Sequence, residues 1–589
     1  MCGIAGIIGA FDAYQLDAML LSQHHRGPDA TGKYEDENFA ALGHNRLAII
    51  DLSSQSNQPF LDPSGRYVLV FNGEIYNYIE LKAELEEHYT FKTDSDTEVL
   101  LATFLVYGYQ CLQKLNGMFS FAIWDNQDKK LFAARDRFGV KPFFYSQKNN
   151  SFSFSSEIKA IHAAGISKIP NEKVWASYFA YGSYGNPDET FWEQILQLPG
   201  GHFLEFQNQQ LILKKWYFFE EEVGKQPKDL TYKQAKKHYL MLLKDSVKLR
   251  FHADVPVGFN ISGGLDSSVL VGMVNEQEKN KIDRNVNSNG DVNENSNFNT
   301  KINAYTFYTD NSEYDELPWV EMMIAKTKNP LKKVLLEVNN VPDFAQKMER
   351  QQDEPYGGIP TLAYAKLFEQ ARKDNVLVLL DGQGMDEQWA GYDYYTQEND
   401  ATIQGVTDSP FKMNILSNYF LEKAVKPNFP KPFADAILNK QYRDLFYTKI
   451  PRALRFNDRI SMMFSTELRE PFLDYRLVEF AFSLPLDFKI RNGQTKFMLR
   501  EIASEYLAND LVFAPKRPLQ TPQREWLAED LKDWVKECFS IIENSNYSEW
   551  FNKRELKKEL ELYFEGDIQS SFHIWQCVSL YGMLHAVNG

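Results

Sequence analysis

Cys2 is the first residue of this sequence that could do covalent chemistry. A small side chain after the initiator methionine permits removal of Met1, which would leave Cys2 with its own α-amine beside the thiol. An α-amine titrates near ~7.7–8.0 and a free thiol near ~8.5, so the amine can serve as a built-in general base at neutral pH. Taken alone, Cys2 reads as a small residue opening a buried strand. Its company changes that reading. GIAGII is a glycine-punctuated apolar strand that could hold a nucleophile at a sheet edge, and four polar clusters follow: HHRGPD (24–29), GHNRLAIID (43–51), FNGEIYN (71–77) and SDTEV (95–99).

A second set of residues points to phosphate chemistry. VPVGFNISGGLDSSVLVGMV reads as a strand, a glycine-rich turn and a helix, with SGGLDSS (262–268) at the junction. Backbone N–H groups freed by the glycines, together with the helix N-terminus, make an anion cradle. The loop lacks the lysine of G-x-x-x-x-G-K-[ST] and carries Asp266 where a Mg2+ ligand would help. NVLVLLDGQGMDEQWAGY (375–392) repeats the pattern, a buried strand opening onto a glycine-rich loop with Asp381, Asp386 and Glu387. Two such loops at the carboxyl ends of parallel strands would face one crevice, with Asp266 and Asp386 bridging Mg2+ to pyrophosphate.

The elements that must position these groups fall into two regions. The first 210 or so residues read as mostly β with some helix: RYVLVFNGEIYNY offers a strand, a turn and a helix start, SFAIWDNQDKKLFAARD a hairpin, and FSFSSEIKAI a strand entering a helix. From about residue 230, amphipathic stretches such as KQAKKHYLMLLKDSVKLRF alternate with short apolar runs (NAYTFYT, KKVLLEV, NVLVLLDG), as in a parallel sheet covered on both faces. Residues 276–302, rich in Asn, Asp and Glu, read as a flexible insertion between a helix and the next strand.

Cys2 with HRGPD, NRL, NGEIYN and SDTE resembles the class II glutamine amidotransferase domain, an N-terminal-nucleophile fold. SGGLDSS resembles the loop of ATP pyrophosphatases, and with NDRISMMFSTELREPFLDYRLVEFAFSLP (457–485) and GQTKFMLREI (493–502) nearly the whole chain is similar to the asparagine synthetase family. The resemblance implies an α+β N-terminal-nucleophile sandwich over 1–210, then an α/β parallel-sheet ATP-pyrophosphatase domain with a helical C-terminal part over 230–589. It implies that Cys2 attacks the glutamine side-chain amide and forms a thioester, with Asn72 and the Gly73 N–H holding the oxyanion. Arg46 would grip the glutamine α-carboxylate, and Glu74 and Asp96 its α-ammonium. Asn260, Ser262, Gly263, Gly264, Asp266, Ser267, Ser268, Phe307, Asp381 and Gly382 would line the ATP site. Arg459 or Lys496 would steady charge on the transferring phosphoryl group. The substrates implied are glutamine, aspartate and ATP, with Mg2+ at Asp266 and Asp386; a homodimer is compatible with the likeness.

Each residue also has a plain reading. Arg46 fits a surface ion pair, Asp96 a helix cap, Asn72-Gly73 a turn, Arg459 and Lys496 solvated charges, and Gly27-Pro28 a simple turn. Family members commonly carry S-G-E-G-S-D-E where this chain has Asp381, Gln383 and Met385, and Arg459 stands where a lysine is usual. Gln383 cannot exchange a proton, which leaves a different acceptor carboxylate as an alternative to aspartate. A glutamine and ATP sensor without turnover is the alternative from another class.

Bulk properties narrow the field. At 589 residues the chain exceeds one core and has room for two chemistries. A net charge of −16 speaks against a general nucleic-acid binder, and no recognisable RNA module is present. Cys2, Cys111, Cys538 and Cys577 form no C-x-x-C pair, the pattern of a reduced protein. MCGIAGIIGAFDAY lacks a basic leader and no run reaches ~18 apolar residues, so a cytoplasmic protein without a membrane span is expected.

Overall fold

The computed structural model describes residues 1–36, 39–148, 150–285, 302–397, 409–514, 521–568 and 571–588. Its N-terminal part contains twelve strands: β1 (Gly3–Ile8), β2 (Ala30–Asp36), β3 (Ala40–Arg46), β4 (Phe60–Leu61), β5 (Tyr67–Ile75), β6 (Gly117–Asp125), β7 (Lys130–Arg135), β8 (Phe144–Lys148), β9 (Ser151–Ser155), β10 (Leu196–Gln197), β11 (His202–Gln207) and β12 (Gln210–Lys215). They form two antiparallel six-stranded sheets, ordered β10-β8-β9-β1-β3-β2 and β12-β11-β7-β6-β5-β4.

Alternation along each strand decides how the sheets stack. On β6, Ala122 and Trp124 pack between the sheets with Ile4, Leu42 and Val70. Phe119, Phe121 and Ile123 point the other way, into a core shared with the helix Asp96–Tyr107. On the far side, Ala5 and Ile7 of β1 meet Leu16 and Leu20 of the helix Ala13–Ser22. The result is a helix–sheet–sheet–helix sandwich, as the α+β reading expected, and both the β6–β7 hairpin and the β9-to-helix run lie where the sequence indicated.

The second part is built on a five-stranded parallel sheet of β13 (Val257–Asn260), β14 (Ala304–Tyr308), β15 (Leu331–Leu335), β16 (Val378–Leu380) and β17 (Glu467–Arg469), in the order β15-β14-β13-β16-β17. Both faces are covered: Phe259, Val378 and Leu380 join one core, Tyr305 and Leu379 another. The strand order reverses at β13 and β16, the position where open α/β sheets part their loops into a crevice. Among the described residues, the other secondary-structure elements of the C-terminal region are helices. The helix Leu265–Asn285 runs past the start of the expected insertion at 276, so its first ten residues are helical; 286–301 lie outside the described residues.

Candidate active sites

Cys2 sits just before β1 and is 7% exposed. Its N–H donates to Asn72 Oδ1 at 3.0 Å, and its Sγ faces Leu47 O at 3.9 Å. Burial pushes the thiol pKa up, while the N-terminal ammonium and Arg46 pull against that rise. Asn72 is fully buried at the centre of β5, with Nδ2 3.4 Å from Ser156 Oγ. The next position must be glycine for steric reasons: a Cβ on Gly73 would lie 2.2 Å from Met118 O on β6.

HHRGPD folds as a 3-10 turn over His24–Arg26 and contributes more than a turn. Arg26 is fully buried, donating through Nε to Cys2 O (3.0 Å), through Nη1 to Glu157 (2.9 Å) and through both terminal nitrogens to Asp458 (2.8 and 3.2 Å). A fork–fork pair of this kind fixes direction as well as charge. Gly27 lets the turn close on β3, since a Cβ there would meet Asn45 O at 2.3 Å.

The acids expected to meet an α-ammonium do gather, with a third member from the distant β17. The Met1 ammonium lies 2.7 Å from Glu467 Oε2, both groups wholly out of solvent. Arg469 bonds Glu467 at 2.5 Å and Glu74 at 3.0 Å, and Asp96 accepts the Ile75 N–H at 2.9 Å. Burial drives the Glu467 carboxyl upward, but the Met1 ammonium and Arg469 overcome it and hold the pKa at about 2. Burial raises Asp96 to about 6, and burial with Asp96 nearby raises Glu74. Arg46 is arranged otherwise than expected: its guanidinium donates to Ser53 O (2.7 Å), Asn57 Oδ1 (2.8 Å), Ile50 O and Asp51 O, holding the 50–57 loop rather than standing open to a carboxylate.

The loops after β13 and β16 line one pocket of about 810 Å³. Asn260, Ser262, Gly263, Gly264, Asp266, Ser267, Phe307, Asp381, Gly382 and Asp386 all reach it, joined by Gln383, Glu387 and Lys496. Ser267 Oγ staples the cradle by donating to Ser262 O at 2.9 Å. Lys496 Nζ stands 2.8 and 2.6 Å from the Asp266 oxygens and 2.8 Å from Asp386 Oδ1. Burial disfavours that ammonium, yet the two carboxylates raise its pKa overall. Lys496 also has a left-handed backbone (φ 55°) at the start of the helix Phe497–Ala503, a strained conformation for a side chain with a Cβ. Asp381 is hydrogen-bonded by Tyr364, whose hydroxyl accepts from Asn260 Nδ2 at 2.7 Å; burial lifts Asp381 to about 6.

Besides Arg46, two sequence-based expectations are corrected, those for Arg459 and Ser268. Arg459 does not line the pocket: its Nη2 bonds Glu354 at 2.9 Å, its Nη1 bonds Gln352 O, and it is 2% exposed, so it is a buried structural ion pair. Ser268 is also absent from the lining; its N–H closes the first helical turn on Gly264 O and its side chain is buried. Met385 packs in the core, with Tyr239 OH 3.5 Å from its sulfur, so of the altered loop residues Asp381 and Gln383 face the pocket. Two useful residues lay inside recognised motifs without a role of their own: Glu467, in 457–485, is brought in by tertiary pairing, and Arg26 belongs to HHRGPD, read either as ordering the loop beside the glutamine site or as a plain turn around Gly27-Pro28.

Asp266 and Asp386 converge on one point, the Lys496 nitrogen, so they fit a hard cation that takes one or two carboxylates and fills its remaining positions from phosphate and water. A void of about 20 Å³ is lined by residues of both regions, among them Tyr76, Asn116, Asp136, Arg250 and Glu470.

Residues 1–217 match the glutamine amidotransferase domain family and residues 238–586 the asparagine synthase family. The chain is 28% identical to asparagine synthetase [glutamine-hydrolyzing] 1 of Bacillus subtilis, covering all of this chain and 97% of that protein. It is 33% identical to putative asparagine synthetase [glutamine-hydrolyzing] 2 of Methanocaldococcus jannaschii, over 67% of this chain and 76% of that one. It is 26% identical to amidase chry2 of Gibberella zeae, over 90% of each. With more than half its length matched by the synthase family, this chain belongs to the asparagine synthase family, with a glutamine amidotransferase domain preceding the synthase domain.

Proposed function

We propose that this protein makes asparagine from aspartate, glutamine and ATP. The carrying observation is the single pocket into which adjacent parallel strands deliver SGGLDSS and the Asp381–Glu387 loop, in a chain that also holds Cys2 against Asn72. Domains of 1–210 and 230–589 house the two half-reactions.

In the first, the Cys2 thiolate attacks the glutamine amide carbon, the C–N bond breaks, and ammonia leaves behind a thioester that water hydrolyses to glutamate. Once Met1 is removed, the Cys2 amine takes the thiol proton. Asn72 and the Gly73 N–H face the oxyanion. Glu74, Asp96 and Glu467 receive the substrate ammonium, a role that the buried Met1 ammonium illustrates at 2.7 Å from Glu467. Arg46 meets the α-carboxylate after exchanging some of its loop bonds.

In the second, an aspartate side-chain oxygen attacks the α-phosphorus, pyrophosphate departs, and ammonia then displaces AMP from the acyl carbon. The glycine-loop N–H groups and Lys496 hold the phosphates, and Phe307 and Gly382 lie against adenosine. Asp381, raised to about 6 and steadied by Tyr364, takes a proton from the attacking nitrogen in place of Gln383. Asp266 and Asp386 would hold Mg2+, which supplies charge neutralisation on the phosphates. Ammonia crosses the domain interface near the void beside Glu470.

Among the described residues no helix is long and apolar enough to cross a membrane, and we place the enzyme in the cytoplasm as a homodimer on family likeness. The test supplies glutamine and MgATP with aspartate or a panel of other carboxylic acids and identifies the amide by mass spectrometry. Asparagine with one pyrophosphate per amide is expected. Turnover with another acid and none with aspartate would move the acceptor, and cleavage of ATP to ADP would overturn the mechanism.

A further inference from the structure

A second cavity, of about 1410 Å³, lies between residues 135–219 of the N-terminal region and 395–397 and 409–455 of the C-terminal region. The protein as a whole carries a net charge of −16, yet among the described lining residues Lys and Arg outnumber carboxylates eleven to one. The single acid, Glu189, is already paired with Lys173. Lys215, Arg443 and Arg455 also face carboxylates just outside the lining, Glu220, Asp444 and Glu354, so the charge that remains is a positive excess. Such an excess between low-dielectric walls concentrates anions, and the cavity exceeds the ~300–1,000 Å³ usual for small-molecule pockets.

The wall contains a buried cation that lacks its share of neutralising charge. Arg455 has a side chain only 9% exposed, and among the described residues its Nη1 has no hydrogen-bond partner, while Glu354 Oε1 stands 3.7 Å away. That carboxylate is engaged by Arg459 at 2.9 Å, so one acid serves two arginines. Burial pushes the Arg455 pKa down, the direction expected for an under-compensated guanidinium. One helical turn away, Arg452 lines both this cavity and the nucleotide pocket, where its charge acts on the Tyr184 hydroxyl. Tyr184, Phe429 and Tyr447 give the same cavity an apolar surface.

We propose that this cavity is a binding site for a small organic polyanion, carrying two or more carboxylate or phosphoryl charges, distinct from the ATP pocket and adjoining it at Arg452. The bound anion would complete the coordination of Arg455 that Glu354 leaves open, and its proximity to the nucleotide pocket would let it modulate turnover.

The test is isothermal titration of the full-length protein with citrate and, separately, 3-phosphoglycerate, at constant ionic strength and without Mg2+, with acetate as the single-charge control. Saturable binding of at least one polyanion and none of acetate is expected; which of the two binds more tightly assigns carboxylate or phosphoryl chemistry. Arg455→Gln should weaken that binding by about tenfold or more, the scale of one charge-assisted hydrogen bond, while ATP affinity stays at the wild-type value. If Arg455→Gln loses ATP affinity through misfolding, Arg455→Lys decides, with weakened polyanion binding expected. The proposal fails if neither polyanion saturates, if the Arg455 variant that retains ATP binding also binds the polyanion like the wild type, or if ATP displaces the polyanion competitively.

Discussion

Arg26 and Asp458 form a two-pronged ion pair at 2.8 and 3.2 Å across the domain boundary, while the same guanidinium bonds the carbonyl of Cys2 at 3.0 Å. The nucleophile is thus anchored to the helix Lys449–Met462 of the synthase domain. Arg26→Gln leaves Glu157 and Asp458 buried beside a neutral amide. Breaking a buried pair in this way costs about 3–5 kcal/mol, so a lowered unfolding midpoint is expected. Glutaminase activity should fall further than ATP–pyrophosphate exchange, as measured side by side.

Cys2→Ala removes the thiol without adding bulk to a buried position. Asparagine formation from glutamine should fall by about 10³-fold or more, whereas formation from ammonium chloride should continue. Equal loss with both nitrogen sources would place Cys2 in the fold and not in the chemistry.

Lys496→Met removes the charge that lies between Asp266 and Asp386. Electrostatic stabilisation at a developing phosphate charge is typically worth about 10²-fold or more. ATP–pyrophosphate exchange should drop on that scale, and glutamine hydrolysis should persist.

Glu470 is 5% exposed, its Oε2 has no hydrogen-bond partner among the described residues, and burial raises its pKa to about 8. In the unfolded chain it ionises near 4.5. The folded state therefore holds the proton more tightly, and stability falls as pH rises from about 4.5 through about 8. Glu470→Gln should remove this loss: urea unfolding at pH 5.5 and pH 8.5 should show the variant gaining about 2 kcal/mol or more relative to wild type at the higher pH. Parallel stability curves at both pH values would contradict it.

Local pattern reported local structure well. SGGLDSS lies at the strand-to-helix junction that its glycine spacing indicated, between Asn260 and Leu265, and RYVLVFNGEIYNY runs as strand, turn and helix start, while the two-sheet sandwich followed from the family resemblance. Charges were harder to place, because a charged residue's partner is chosen by tertiary structure. Arg459 had the right sequence position for a phosphate contact but lies opposite Glu354, and Arg46 closes a loop. Lys496 had no spacing signal, yet it meets Asp266 from 230 positions away. Glu467 lay within a recognised motif, but nothing local tied it to the first two residues of the chain.

Strand β17 is three residues long and serves both centres. Its Glu467 meets the Met1 ammonium, the Arg469 guanidinium holds Glu74, and the Arg469 carbonyl accepts the N–H of Asp381 at 3.0 Å. The two halves are consequently not interchangeable modules. A fragment ending near residue 217 would lose an acid and a base from its amine pocket, so severing the chain there should yield a folded sandwich with an incomplete grip on glutamine, restorable by adding the other half in trans.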